Sequence, residues 1–577
     1  VASRGLGDVY KRQAFLDYDR DGDLDCFLLN HAVHSTESYR NVSERIATDT
    51  LGGDRLLRND FILNGQTTGS VKFTDVTRAS GIFNSQLGYG LGIAVSDLNL
   101  DGYPDLYVSN DFWENDYLYL NQRNGTFKQV LEKSMAHTSR FSMGSDIADF
   151  NNDGLPDIIT LDMLPRDESV IKTSAGEDPM EIYKFKQTYG FHRQVSRNSL
   201  QINQFVTDTS VNFSDGAFMF GVAATDWSWA PLFADFDNDR LKDLYVSNGI
   251  MRRPNDMDYI SYIADGNVQD SLEYMTQEDL RILQSMPSGV VPDYFFRNTD
   301  SASFEDVTVK WGMGRPALSN GAAYADLDND GDLDLVVNHL NEPSGIIQNH
   351  SEKFNKNNFI RLNLTGTFPN PSAIGAKVEI FNNGKKLVYE NFTVRGFCSS
   401  VDPVINIGLG DWNNLDSVRI IWPKGNVQMI FNPEVNTKLD ITESIVAKPA
   451  VRSEKFNTIL TLLPAEQTPD FMHQENDYNA FNSESLIPHA LTKEGPALAS
   501  GDVDSDGDDD VFIGGARNQS AAIFKNDNGF WHQTNLELWS QVKGFEDIDA
   551  VFFDADQDGD LDLVVVSGGQ ENVQREL

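Results

Sequence analysis

Seven stretches of the chain carry oxygen-bearing side chains at alternate positions over nine residues, a spacing suited to holding a hard cation. In order they are DYDRDGDLD from Asp17, DLNLDGYPD from Asp97, DFNNDGLPD from Asp149, DFDNDRLKD from Asp235, DLDNDGDLD from Asp326, DVDSDGDDD from Asp502 and DADQDGDLD from Asp554. Counted from the first Asp, carboxylate or amide groups fall at positions 1, 3, 5 and 9, and Gly stands at position 6 in six of the seven. Alternate side chains of a tight turn can point inward together. Four such groups and the main-chain carbonyl of position 7 can then surround one ion.

The candidate ligands are Asp17, Asp19, Asp21 and Asp25 with the carbonyl of Asp23 in the first loop, and Asp97, Asn99, Asp101 and Asp105 with that of Tyr103 in the second. The third offers Asp149, Asn151, Asp153 and Asp157 with Leu155, and the fourth Asp235, Asp237, Asp239 and Asp243 with Leu241. The fifth offers Asp326, Asp328, Asp330 and Asp334 with Asp332, the sixth Asp502, Asp504, Asp506 and Asp510 with Asp508, and the seventh Asp554, Asp556, Asp558 and Asp562 with Asp560. Oxygen donors without nitrogen or sulfur favour Ca²⁺ over zinc or copper, and the loose, crowded geometry favours it over Mg²⁺. Up to seven calcium sites are expected. The fourth should be the weakest, because Arg240 replaces the Gly and Lys242 stands beside the last ligand. A non-Gly residue at positive φ costs roughly 1 to 2 kcal/mol, and nearby cations compete with a metal.

Two unit charges about 4 Å apart repel by about 4 kcal/mol at an effective dielectric of 20, so these loops resist folding unless a cation sits among them. An EF-hand is excluded. Its twelfth position needs a bidentate Glu, and Leu28, Val108 and Val337 stand there.

The elements that must position the loops are short strands. GLGIAVS precedes Asp97 and LYVSN follows its loop, NGAAYA and LVVNH flank the fifth, and IDAVFF and LVVVSG the seventh. A second phrase recurs downstream: LLRN then KFTDVT, LYLN then TFKQV, FFRN then SFEDVT. A repeated four-stranded unit that cannot bury its own faces stacks on its neighbours, and radial closure into a β-propeller is the usual solution. Residues 174–190 and 255–286 break the rhythm with helical spacing and read either as insertions decorating one face or as cover for a sheet edge. From Asn358 to Thr442 the acidic loops give way to alternating strands, which implies a compact β-sandwich. Residues 443–469 read as a linker, after which the repeat resumes.

The chain has 577 residues, with 87 acidic against 46 basic side chains and a net charge of −41, so it would repel nucleic acid and anionic lipid. Hydrophobic residues at 40% exclude general disorder. Cys26 and Cys398 read as two ordinary buried thiols, and no apolar run is long enough to cross a bilayer. Residues 1–13, with DVYKRQ, read as a translated sequencing adapter and are set aside from fold reasoning, so that Ala14 opens the first strand. The chain is expected to be a fragment cut at both ends, with any signal peptide lost.

The pattern D-x-[DN]-x-D-G-x-x-D between strands resembles the FG-GAP or VCBS repeat of integrin α-subunit propellers and of many bacterial surface proteins. Residues 142–164, 224–249 and the phrase FEDVT resemble bacterial relatives of cartilage acidic protein, and residues 372–425, with RGFCSS, NIGLG and IIWPKG, resemble the ASPIC/UnbV domain that follows the propeller in that family. The resemblance implies an all-β chain: an FG-GAP/VCBS propeller over 14–355, seven-bladed in the family with about two blades lost upstream, an ASPIC/UnbV domain over 356–442, and the start of a second propeller over 470–577. It also implies a secreted, cell-surface or periplasmic calcium-binding protein, and the loops carry over as its metal sites. The expected partners are a glycan or an extracellular protein, and a monomer is expected.

Catalysis has little support. There is no H-E-x-x-H or G-x-S-x-G motif, His31 and His34 read as plain surface residues, and the two Trp of DWSWAP (226–231) read as core. An enzyme acting on polysaccharide or phosphoester is the alternative class.

Overall fold

Each acidic loop joins two antiparallel strands in which β-branched and aromatic residues alternate, and the sheets built from them make an all-β, propeller-like structure. The computed structural model describes residues 10–31, 48, 52–63, 65–174, 178–207, 209–262, 284–299, 303–444, 448–449, 463–482, 493, 495–534 and 536–568. They divide into two compact units, 1–453 and 454–577.

The first unit contains five sheets in succession. Sheet 1 is β1 (Tyr10–Leu16), β2 (Asp25–Asn30), β3 (Arg55–Asn59) and β4 (Phe73–Asp75), and sheet 2 is β5 (Gly90–Ser96), β6 (Asp105–Asn110), β7 (Tyr117–Asn121) and β8 (Phe127–Gln129). Sheet 3 is β9 (Ser145–Ala148), β10 (Asp157–Thr160), β11 (Ser199–Thr207) and β12 (Ser210–Asp215). Sheet 4 is β13 (Ser228–Ala234), β14 (Asp243–Asn248), β15 (Tyr294–Thr299) and β16 (Ser303–Asp306), and sheet 5 is β17 (Ser319–Ala325), β18 (Asp334–His339) and β19 (Gly345–Ile347). The first strands pack side by side, β1 on β5, β5 on β9, β9 on β13 and β13 on β17. Apolar faces are buried between sheets, as where Phe150 stacks on Phe233 with ring centroids 5.7 Å apart. Both Trp of residues 226–231 belong to this packing: Trp227 is buried, and Trp229 lies against Phe397.

Residues 358–449 form a two-sheet sandwich. One sheet holds β20 (Asn358–Thr365) between β25 (Ile405–Gly410) and, in parallel, β28 (Thr437–Thr442). The other contains β21 (Lys377–Asn382), β22 (Lys385–Glu390), β26 (Ser417–Ile421), β27 (Asn426–Phe431) and β29 (Lys448–Pro449). Leu362, Val378, Ile407, Ile420 and Trp422 fill the space between them. A small hairpin leaves this sandwich, β23 (Val394–Arg395) and β24 (Ser399–Ser400), and its strands touch β5, β9, β13 and β17. Arg12 on β1 donates to the carbonyls of Gly396, Arg395 and Ser399 at 2.6, 2.7 and 2.8 Å. The hairpin therefore sits at the axis that the five inner strands surround. Close approach explains Gly144, where a Cβ would lie 2.2 Å from the carbonyl oxygen of Trp229.

Two expectations change. Tyr10 to Gln13, set aside as foreign, form the start of β1, with Arg12 buried against the axial hairpin. Cys398 is exposed at the hairpin while Cys26 is buried, because the strand packs Cys26 inward and the hairpin turn faces Cys398 outward. The sandwich rests on several acidic loops of the first unit. The insertions contain helices at Met180–Thr188 and Met257–Tyr262, with residues 263–283 outside the described set, and a further helix, Glu168–Thr173, lies just before the first of them. No helix of the described residues is long and apolar enough to cross a membrane.

The second unit has a four-stranded sheet, Leu498–Gly501, Asp510–Ile513, Ala522–Asp527 and Phe530–Thr534, and a pair, Glu546–Phe553 with Asp562–Gly568. Phe512, Ile523 and Trp539 form its core.

Candidate metal loops

All seven loops share one backbone conformation. Position 4 takes φ between +56° and +65°, and position 6 takes φ between +85° and +103°, Arg240 included. Six loops use Gly at position 6 because the left-handed region costs it little. The side chains then fold back on the turn. Asp97 Oδ1 and Oδ2 accept from the N–H groups of Asp101 and Gly102 at 2.8 and 2.9 Å, and position 5 accepts from the N–H of position 7, as at Asp101 and Tyr103, 2.9 Å. The loops are thus held as concave turns by their own carboxylates.

Position 9 has a second job. One oxygen of this Asp accepts the N–H of position 2 in every loop, from Tyr18 (3.2 Å) and Leu98 (3.0 Å) to Ala555 (2.9 Å). In six loops the other oxygen accepts the N–H of an Asn in or just after the third strand: Asn59, Asn121, Asn203, Asn298, Asn349 and Asn526, at 2.7 to 2.9 Å. The Asn side chain then reaches backwards. Asn121, Asn203, Asn298 and Asn349 donate from Nδ2 to the position 2 carbonyls of the preceding loop, Tyr18 (2.7 Å), Leu98 (3.2 Å), Phe150 (2.9 Å) and Phe236 (2.7 Å). This Asn latches each sheet to the one before it. Replacing Asn121 with Ala is expected to cost about 1 to 3 kcal/mol, since two buried carbonyls lose their donor. A change within about 0.5 kcal/mol in chemical denaturation, the ordinary range of a surface substitution, would show that the latch carries no weight.

The first loop is the clearest cation cage. Asp17 is 5% exposed, and neither of its carboxylate oxygens accepts a hydrogen bond of good geometry, the backbone N–H of Gly22 being a loosely placed donor. Oxygens of Asp17, Asp19 and Asp25 lie within 4.8 Å of one another. Burial, then the charges of Asp21, Asp19 and Asp23, pushes the Asp17 carboxyl up to about 8. Burial and Asp19 push Asp25 up to about 9. A buried carboxylate with unused lone pairs beside two others suits a divalent ion, and the all-oxygen donor set suits Ca²⁺. Similar triads occur at Asp326, Asp328 and Asp334 and at Asp502, Asp504 and Asp510. Asp149 and Asp326 each also bury one oxygen without a partner.

The fourth loop is built differently. Arg297 on β15 donates from Nε to Asp237 and from Nη2 to Asp239, both at 2.6 Å. Arg240 turns away to pair with Asp411 of the sandwich, and Lys242 crosses to the third loop, where Nζ donates to the Asp149 carbonyl at 2.7 Å and lies 4.3 Å from the Tyr389 ring centre. The side chains of Arg240 and Lys242 thus bond groups outside their own loop, although the Lys242 charge still acts on Asp235. Asn355 and Asn357, just before the sandwich, donate to the Asp237 carbonyl, the Gly410 N–H of the sandwich donates to that of Asn238, and Arg361 of the sandwich pairs with Asp326 of the fifth loop at 2.7 Å.

Sequence reasoning missed the latch Asn, although its phrases LLRN, LYLN and FFRN were visible. It also missed the buried Asp that closes the opposite end of three sheets: Asp54, Asp116 and Asp293 accept from the N–H groups of Asn30, Asn110 and Asn248 at 2.8 to 2.9 Å. The recurring signal there is the Asn that ends the second strand.

Comparison with known proteins follows the same division. The family described as FG-GAP-like repeat matches residues 97–160, and that described as ASPIC and UnbV matches residues 366–448. The chain carries both modules. Cartilage acidic protein 1 of Xenopus tropicalis is 24% identical over 421 residues, 70% of this chain and 53% of that protein. Cartilage acidic protein 1 of Homo sapiens is 22% identical over 515 residues, 86% of this chain and 62% of that protein. The chain thus spans between about half and two thirds of the length of the curated relatives it matches. Among solved structures, a lectin of Agrocybe aegerita described as recognising non-reducing terminal N-acetylglucosamine is 13% identical and covers 59% of this chain and 67% of its own, with a TM-score of 0.27 that carries no inference.

Proposed function

We propose that the chain is an extracellular calcium-binding β-propeller protein that binds a glycan or protein ligand in adhesion, with calcium structural rather than catalytic. The observation that carries the metal reading is Asp17, a buried carboxylate inside an acidic turn, neither of whose oxygens accepts a hydrogen bond of good geometry. Asp17, Asp19, Asp21 and Asp25 would hold the ion, whose contribution is to cancel their repulsion. At Kd near 10⁻⁴ to 10⁻³ M, millimolar calcium would stabilise each loop by roughly 0.4 to 1.4 kcal/mol.

The topology favours binding over axial catalysis. Residues 394–400 fill the axis, and the helical insertions leave the sheets between second and third strands, at the end opposite the acidic loops. A ligand would dock on that end. Calcium titration calorimetry with elemental analysis tests the reading: several ions per chain are expected, and one fewer for Asp17→Asn. Uptake of none, or an unchanged count in the variant, would refute it. Binding to a glycan array without turnover would support the ligand reading; hydrolysis of array sugars would replace it with an enzymatic one.

A further inference from the structure

In three loops the residue immediately before the latch Asn bonds position 3 of the acidic loop, and across the six latched loops its type follows the charge at position 3. Where position 3 is Asp, the facing residue is polar: Arg297 opposite Asp237, Gln348 opposite Asp328 (2.5 Å) and Lys525 opposite Asp504 (2.8 Å). Where position 3 is the neutral Asn99 or Asn151, the residue before the latch is Leu120 or Ile202. In the first loop that residue is Arg58, which is engaged by Asp60 at 2.9 Å.

We propose that Arg297 is the permanent cation of the fourth loop, so that this loop folds without metal while others require it, and that the residue before the latch Asn sets which kind each loop is. This rests on the calcium reading of the other loops. A guanidinium presents a planar fork of donors, so one side chain satisfies Asp237 and Asp239 together, as a metal would. The remaining Asp235 is already engaged by the turn, accepting the N–H groups of Asp239 and Arg240 at 3.0 and 2.8 Å. Asp243 is engaged by Phe236 and Asn298, at 3.0 and 2.9 Å. All four carboxylates thus have donors without an ion. Gln348 and Lys525 each reach position 3 only, and although Arg361 pairs with Asp326 at position 1 of the fifth loop, no side chain among the described residues joins positions 3 and 5 of the fifth or sixth loop as Arg297 does, which leaves that pair for a cation to bridge. The placement also accounts for Arg240 at position 6: the loop keeps its turn at φ +85° because Arg297 and the tie to Asp411 hold it.

The test compares the full chain with Arg297→Gln, which copies the fifth loop, and Arg297→Lys, using calcium alone as the probe. Arg297→Gln should bind one more calcium than wild type, melt lower than wild type in chelator, and recover in millimolar calcium, while Arg297→Lys keeps the wild-type count. A Gln variant with the wild-type count and equal losses in both media would overturn the proposal. If that variant does not fold, Asp237→Asn decides: an unchanged calcium count supports the proposal and a count lower by one overturns it. A wild type that takes up no calcium would overturn the calcium reading instead, and a lower melting temperature of Arg297→Gln would in that event still support Arg297 as the loop's cation.

Discussion

The metal-free protein should become less stable as pH rises from about 4 to 9, and calcium should remove that loss. Burial first, and neighbouring carboxylates second, raise Asp17 to about 8 and Asp25 to about 9, while burial raises Asp97 to about 7. Burial likewise raises Asp21 and Asp330 to about 6. An Asp whose folded pKa lies above its unfolded value, near 3.9, favours folding while protonated. Its contribution is present below the unfolded value and is lost as pH climbs through the folded one. Without metal that window runs from the unfolded value near pH 4 up to about pH 9, and each tenfold difference in proton affinity between the folded and unfolded chain is worth about 1.4 kcal/mol. A bound cation favours the ionised carboxylates and reverses the sign, so that stability is present at neutral pH and is lost on acidification. The melting temperature in calcium minus that in chelator should therefore be small at pH 5 and grow steadily to pH 8. A difference that stays constant with pH would show that these carboxylates are not the groups calcium engages.

The loops were legible because their chemistry is local. Positions 1, 3, 5, 6 and 9 lie within one turn, and a sequence scan sees them all at once. The flanking strands were legible for the same reason, through period and turn residues. What escaped was long-range. Asn121 ends a strand and reads as a turn residue, yet its side chain bonds Tyr18, 103 residues away. Lys242 looked like a competitor in its own loop, but its side chain reaches the loop 93 residues earlier. Position 9 read as a ligand alone, whereas its oxygens also tie the loop's start to the third strand, a bond whose second partner lies 34 residues on for Asp25. Arg297 is the same case, 58 and 60 residues from the carboxylates it joins. The hairpin RGFCSS has no periodicity that announces an axial position, and only the folded unit brings Arg12 to its carbonyls.

The largest effect of a single substitution is expected at that hairpin. Arg395 donates from Nε to Asp146 Oδ1 at 2.7 Å, from Nη2 to the Ile147 carbonyl at 2.6 Å and from Nη1 to the Tyr324 hydroxyl at 3.2 Å. Asp146 is 1% exposed, and its other oxygen accepts the Phe233 N–H at 2.7 Å. One ion pair thus joins the sandwich to β9, β13 and β17. Removing a single partner of a buried pair leaves an uncompensated charge and costs about 3 to 5 kcal/mol. Arg395→Met should lower the melting temperature of the first unit accordingly, in calcium and in chelator alike, because no acidic loop takes part. Adding Asp146→Asn should recover part of the loss, since the amide still accepts from Phe233 and no charge is left behind. Losses that simply add in the double variant would mean that Asp146 is compensated by some other group and that the hairpin is held by packing alone.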